Sequence, residues 1–166
     1  MIYNYIELKK KLISKGVKFQ TKSDTEVLLK ILNLYGEEAF KMLDGMWSLA
    51  YYNFKKSEII LSRDRFGEKP LYFSNEKKGI YFSNSIKALQ ELGQLKLKFD
   101  KKKIESQIKY SDKTFGLNNN SFFVGINQLP AGQFIKISVR NNKLKAKNYW
   151  KLKIKQKKVN FNTASK

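Results

Sequence analysis

Two polar clusters in this 166-residue chain have side chains suited to chemistry. The first is Ser23-Asp24-Thr25-Glu26, just ahead of the apolar series Val27, Leu28, Ile31, Leu32 and Tyr35. A carboxylate in the first turn of a helix is favoured by the helix dipole and can face a cation. Asp24 therefore has two open readings. It is a cation-binding group, or it is plain helix-start chemistry, because Ser23 and Glu26 have the spacing of a capping box. The second cluster is Arg63-Asp64-Arg65, followed by Phe66-Gly67-Glu68-Lys69-Pro70-Leu71-Tyr72. Gly67 and Pro70 suit a turn. The charged residues read as a structural salt bridge at that turn, or as a contact to another domain. Covalent catalysis has little to work with, because the chain has no cysteine and no histidine. Ser23 and Ser62 have no histidine to take their proton and no Ser-x-x-Lys pairing, so neither is a nucleophile. Without Cys and His, zinc and most transition-metal sites are also excluded.

Regular elements must hold these clusters. Tyr5, Leu8 and Leu12 fall at helical spacing, with Asn4 as a cap and Gly16 as the stop. Residues 17–21 alternate as a short strand. The helix that begins at Ser23 ends at Gly36, and Glu37 to Leu43 gives a further turn or two. Met46 to Tyr52 is so continuously apolar that both faces of this strand are expected to be covered. Glu58 to Ser62 returns after a hairpin loop, and Leu71–Ser74 with Gly79–Ser83 forms a second hairpin across residues 75–78. Ser85–Leu92 and Asp100–Tyr110 read as helices, Ser111–Asn120 as a loop, and Gln133–Val139 as a strand before a turn at Asn141-Asn142. Trp47, Tyr51 and Tyr52 belong to a core strand rather than to a base-stacking surface.

Composition narrows the function classes. Aromatic residues make up 14% and hydrophobic residues 42%, enough for one domain with a real core. The start of the chain has no signal-peptide pattern, and no apolar run approaches the roughly 18 residues of a membrane span. A cytoplasmic location without membrane contact is expected. The net charge of +20 invites a nucleic-acid reading. However, residues 1–93 hold 16 basic and 11 acidic groups, and residues 94–166 hold 18 and 3. Only Arg63, Arg65 and Arg140 are arginines. Specific nucleic-acid sites favour arginine forks and stacked aromatics, so a solvated lysine surface is the better account.

Several segments, taken together in order, resemble a known family. They are Ile2-Tyr3-Asn4-Tyr5, Ser23 to Leu29, Leu43-Asp44-Gly45-Met46-Trp47-Ser48-Leu49-Ala50, Ser62 to Tyr72, Phe82 to Leu89, and Leu129-Pro130-Ala131-Gly132. The chain is similar over about residues 2–150 to the glutaminase domain of glutamine-hydrolysing asparagine synthetases, a class II glutamine amidotransferase. The resemblance implies an α+β, N-terminal-nucleophile hydrolase-like fold, a four-layer αββα sandwich, here incomplete because N-terminal strands are missing. It implies a partial amidotransferase domain over residues 1–150, with residues 151–166 a basic linker or tail toward a missing synthetase domain. It also implies ammonia release from glutamine by an N-terminal cysteine whose α-amino group is the base, and an oxyanion hole made by an Asn side chain and a Gly amide. The position matching Asp24 binds the α-ammonium of glutamine in that family.

The chain also departs from the family. The cysteine, the following strands and the oxyanion-hole residues have no counterpart here, and Ser85 stands where a Glu is usual. No catalytic residue is therefore assigned, and Asp24 is the single glutamine-binding candidate. The expected partners are glutamine and the synthetase domain, with no specific nucleic acid. No cofactor is expected in this chain; ATP and magnesium are implied for the synthetase domain. The chain reads as an internal piece of a longer enzyme, inactive alone and prone to aggregate through open sheet edges. The alternatives are a non-catalytic binding module on the same fold and, less favoured, a basic nucleic-acid-binding domain.

Overall fold

A computed structural model describes residues 1–110 and 121–153 of the chain. The loop expected over 111–120 and most of the expected tail, 154–166, lie outside the described residues. The first third is helical. Helix α1 spans Tyr5–Ile13 and α2 spans Asp24–Tyr35. A single 3-10 turn at Gly36–Glu38 leads into the short α3, Ala39–Met42. Strands β1 (Ser48–Asn53) and β2 (Glu58–Arg63) follow, then β3 (Tyr72–Glu76) and β4 (Gly79–Ser83). Helices α4 (Ile86–Gly93) and α5 (Lys101–Tyr110) come next. Strands β5 (Ile126–Gln128), β6 (Gln133–Ser138) and β7 (Leu144–Asn148) complete the described chain.

The strands form two antiparallel sheets, one ordered β1-β2-β6-β7 and one ordered β4-β3-β5. Alternation in β2 shows how they stack. Ile60 joins a buried cluster with Leu12, Val27, Ile31, Phe40, Tyr51 and Phe134, which is the helical side. Its neighbours Ile59 and Leu61 join Ile135, Ile137, Phe73 and Phe82, which lies between the sheets. Both faces of β2 are covered, so three successive apolar residues are what the position needs. Helix α4 packs on β3 and β4 with Leu89 fully buried. The result is the four-layer αββα arrangement expected from the resemblance.

Five local expectations are corrected. Residues 17–21 form no strand. The Gln20 and Thr21 N–H groups donate to the Glu26 carboxylate (3.0 and 2.7 Å), so they are not offered to a ladder. For the same reason Ser23 and Glu26 do not close a capping box. The Ser23 hydroxyl accepts from Thr25 N–H (3.1 Å), while Glu26 points to the preceding loop. Asn4 does not cap α1 with its side chain. It donates to the Met42 carbonyl (2.9 Å) and accepts from Asp44 N–H (3.0 Å), which ties the chain start to the end of α3. Strand β1 is an edge strand with one open side. Leu49 and Tyr51 pack toward the helices, but Ala50 and Tyr52, paired with Leu61 and Ile59 on the inter-sheet face, are exposed. The second hairpin is tighter than expected, with only Lys77 and Lys78 between β3 and β4.

The segment leading into β1 is paired by the first residues of the chain. Ile2 bridges Gly45, Met46 N–H donates to the Met1 carbonyl (3.1 Å) and Tyr3 N–H to the Asp44 carbonyl (2.7 Å). Gly45 is required there: its φ is +136°, and a Cβ would lie 2.5 Å from the Met1 carbonyl oxygen.

Glu26 gives this corner a pH dependence. Hydrogen bonds from the Thr21 hydroxyl and then the Gln20 N–H pull its pKa from 4.5 down to about 2. A depressed carboxylate stabilises the fold above its unfolded pKa, and the contribution is lost as pH falls toward the folded one. Thermal melts of the parent chain and a Glu26→Gln variant should therefore differ above pH 4.5 and converge as pH falls toward about 2. A gap that stays constant over that range would contradict the assignment.

Candidate functional site

At the end of β2, Asp64 is almost fully buried and accepts four backbone N–H groups. Its Oδ1 takes Phe66 (3.1 Å) and Glu68 (2.9 Å), and its Oδ2 takes Trp47 (3.2 Å) and Lys69 (3.1 Å). One side chain thus ties the start of β1 to the loop at 64–69. Arg63 works on the same loop from its carbonyl side. Its Nε donates to Lys69 (2.8 Å), its Nη1 to Leu129 (2.8 Å) and its Nη2 to Gly67. Burial pulls the Arg63 guanidinium below its ordinary pKa, opposed by the Asp64 charge. Three carbonyl partners satisfy the buried cation. The expected salt bridge between Arg63 and Asp64 does not form, since each bonds backbone instead. The ion pair at this turn is Arg65 with Asp44, at 3.6 Å.

Gly67 makes this closure possible. Its φ is +71°, and a Cβ would approach the Arg63 guanidinium to 2.9 Å. Tyr149 connects the hub to the helical-side core. Its hydroxyl donates to the Arg63 carbonyl (2.8 Å), and its ring lies 6.0 Å from Trp47 and 5.5 Å from Phe40. Burial raises the Tyr149 pKa well above the usual phenol value. Trp47 is core, as expected, and its Nε1 donates to Ser62 (3.2 Å). Ser62 is fully buried under that bond.

Asp24 lies where α2, the chain start and β1 converge on one open cavity of about 420 Å3. Its Oδ2 accepts from Ile2 N–H (3.0 Å), and Thr25 Oγ1 stands 3.5 Å from Oδ1. Leu28, Trp47 and Leu49 give the cavity apolar walls, and Lys69 reaches it from the Asp64 loop. Arg63, Asp64 and Arg65 do not line it. Lys69 was visible in the sequence only as one member of the Arg63–Tyr72 segment. Its position in the cavity depends on the bonds of Arg63 and Asp64, which no local pattern encodes. Among the described residues no group of three or more acidic side chains is close enough to hold a metal ion.

Much of the basic excess lies elsewhere. Lys136, Lys143, Lys145 and Lys147 line a shallow cleft of about 390 Å3 on β6 and β7, with no arginine or aromatic side chain beside them. Glu37 pairs with Lys136 and with Lys147 (2.9 Å), and these bonds lower its pKa. This surface lacks the forks and stacking platforms of sequence-reading sites. No helix among the described residues is long and apolar enough to cross a membrane.

Comparison with known proteins identifies the family and the fold. Residues 1–150 match the family described as the glutamine amidotransferase domain. The chain is 36% identical over 156 residues to asparagine synthetase [glutamine-hydrolyzing] 2 of Bacillus subtilis, covering 91% of the chain and 20% of that protein. It is 43% identical over 91 residues to a maize asparagine synthetase [glutamine-hydrolyzing], covering 54% of the chain and 15% of that protein. The chain thus spans about a fifth or less of these relatives. Among solved structures, glutamine phosphoribosylpyrophosphate amidotransferase from B. subtilis superimposes with a TM-score of 0.62 at 19% identity, over 90% of this chain and 27% of that one. That likeness supports the layered fold alone.

The hub sets a stability expectation. Replacing Asp64 with Ala leaves buried N–H groups unpaired and should destabilise the fold by about 3 kcal/mol or more. Arg65→Ala, which removes a partly exposed pair, should cost about 1 kcal/mol or less. Urea unfolding of both variants checks the contrast; equal losses would mean that Asp64 is not the organising group.

Proposed function

The chain belongs to the glutamine amidotransferase domain family, and from that premise we propose that it is the glutamine-binding part of an asparagine-synthetase-like enzyme. The supporting observation is Asp24. It stands at the first turn of α2, one oxygen held by Ile2 N–H, in a cavity with apolar walls. A fixed carboxylate beside apolar walls suits an α-ammonium whose carbon chain lies along Leu28 and Trp47. Glutamine carries that ammonium, and its amide supplies the nitrogen that such an enzyme transfers.

Amide cleavage needs a nucleophile to attack the carbonyl carbon and a proton for the departing ammonia. The 166 residues include no cysteine and no histidine. Ser62 is buried under Trp47 and Ser23 is engaged by the start of α2. These residues therefore bind glutamine without cleaving it, which also favours a binding-module reading for the chain taken by itself. In the complete reaction, ammonia passes to a synthetase domain that amidates aspartate with ATP and magnesium. Those ligands are assigned to that domain and not to residues described above.

Two outcomes follow for the purified chain. It should release no ammonia from glutamine above a blank in a coupled assay; measurable release would refute the binding-only reading. Asp24→Asn should weaken L-glutamine binding about tenfold, the loss expected for a charge-assisted hydrogen bond. Calorimetry that finds unchanged affinity would remove Asp24 from the site.

A further inference from the structure

Strand β7 is the last strand of the four-stranded sheet, so β6 pairs with one of its edges and the other edge is open. Two backbone bonds fix which residues serve which edge. Ser138 N–H donates to the Lys143 carbonyl (3.1 Å), and Tyr149 N–H to the Gly132 carbonyl (3.0 Å). In an antiparallel pair, residues that bond the neighbouring strand alternate with residues that do not. Lys145 and Lys147 therefore bond β6, while Leu144, Ala146 and Asn148 turn their N–H and C=O groups outward. The register runs from Leu144 to Asn148 without a bulge, and the strand has no proline. The open edge thus offers an unbroken row of backbone donors and acceptors.

The side chains alternate in the same phase. Lys143, Lys145 and Lys147 share the cleft with Lys136, and successive ones lie about 6.8 Å apart along the strand. Leu144 packs on the inter-sheet face, and Ala146 is exposed. Glu37 neutralises Lys136 and Lys147. Lys143 and Lys145 have no carboxylate partner among the described residues. Lysines on an edge repel a second copy of that edge. The same lysines select a strand of opposite charge. We propose that the β7 edge takes up an extended acidic segment of a partner protein by antiparallel strand addition. That segment carries Asp or Glu at every second position, facing the lysines, with apolar residues between them facing Leu144 and Ala146. Its acids then fall at the non-hydrogen-bonded sites, where opposing side chains come closest. A second copy of this chain supplies no such strand. Asp24 and Glu26 are the only acids two positions apart in the sequence, and both lie in α2. With no arginine or aromatic side chain in the cleft, a peptide fits it better than nucleobases do.

Fluorescence anisotropy on the full chain, at about 0.15 M salt, tests this with two labelled peptides of one composition. One alternates, acetyl-VEVEVEV-amide, and one is in blocks, acetyl-EEEVVVV-amide. The parent should bind the alternating peptide about tenfold more tightly. N-methylation of its two inner valines, whose N–H groups face β7, should cost about tenfold. N-methylation of its glutamates, whose N–H groups face away, should cost little. The two modified peptides differ in where a bond is blocked and not in charge. Lys145→Ala should weaken binding about threefold, the loss of one cross-strand charge pair, and Lys145→Arg should retain it. Lys145 is exposed, so both variants should melt with the parent. Equal affinity for the two parent peptides overturns the proposal. Equal loss from the two methylation patterns also overturns it, because binding is then adsorption by charge alone. Polyuridylate that displaces the alternating peptide at a lower charge concentration than the block peptide does makes the surface a nucleic-acid site and overturns it as well.

Discussion

A single buried carboxylate determines how the loop after β2 closes. Asp64 accepts N–H groups from residues 47, 66, 68 and 69, so it clamps the loop after β2 onto the end of the β1–β2 ladder. A buried charge is costly unless its lone pairs are filled, and four donors fill them. The carbonyls of the same loop, pointing the other way, satisfy Arg63. Backbone polarity thus neutralises two opposite charges that sit side by side in sequence yet do not pair with each other. The left-handed Gly67 allows the loop to turn closely enough for both sets of bonds.

From that hub the order spreads in two directions. Through Trp47 and Tyr149 it reaches the helical-side core, where Phe40 packs on Phe134 and Tyr149. Through Gly132, whose N–H donates to the Asp64 carbonyl (2.8 Å), it reaches the start of β6. The cavity at Asp24 lies beside this network rather than inside it. That separation matters for mechanism. Asp24 is half-buried and Lys69 exposed at the cavity, while Asp64 and Arg63, which bond the Lys69 backbone, are buried.

How much of this was readable in the residues depended on whether the signal was local. The start of α2 was legible because Ser23 and the apolar series lie within one helical repeat. The partner of Glu26 was not, because its carboxylate accepts from Gln20 and Thr21 across a loop. Strand β2 was clear from three consecutive apolar residues. Strand β7, Leu-Lys-Ala-Lys-Asn, carries almost no apolar pattern, and its pairing comes from the free edge of β6. Strand β5 is three residues long, below what alternation can reveal. Tyr51 and Tyr52 looked equivalent in sequence, yet Tyr52 turns to the open inter-sheet side. The charged run at 63–65 was visible, but its bonding partners are carbonyls and amides, which every residue possesses.

The four-stranded sheet has two unlike rims. On β7, Lys145 lies opposite Lys136, while Glu37 pairs with both Lys136 and Lys147. On β1, the run Ser-Leu-Ala-Tyr-Tyr-Asn carries no charge, and Ala50 and Tyr52 are bare on one side. Contact between two β1 rims is isologous: it uses the same patch twice and is then exhausted.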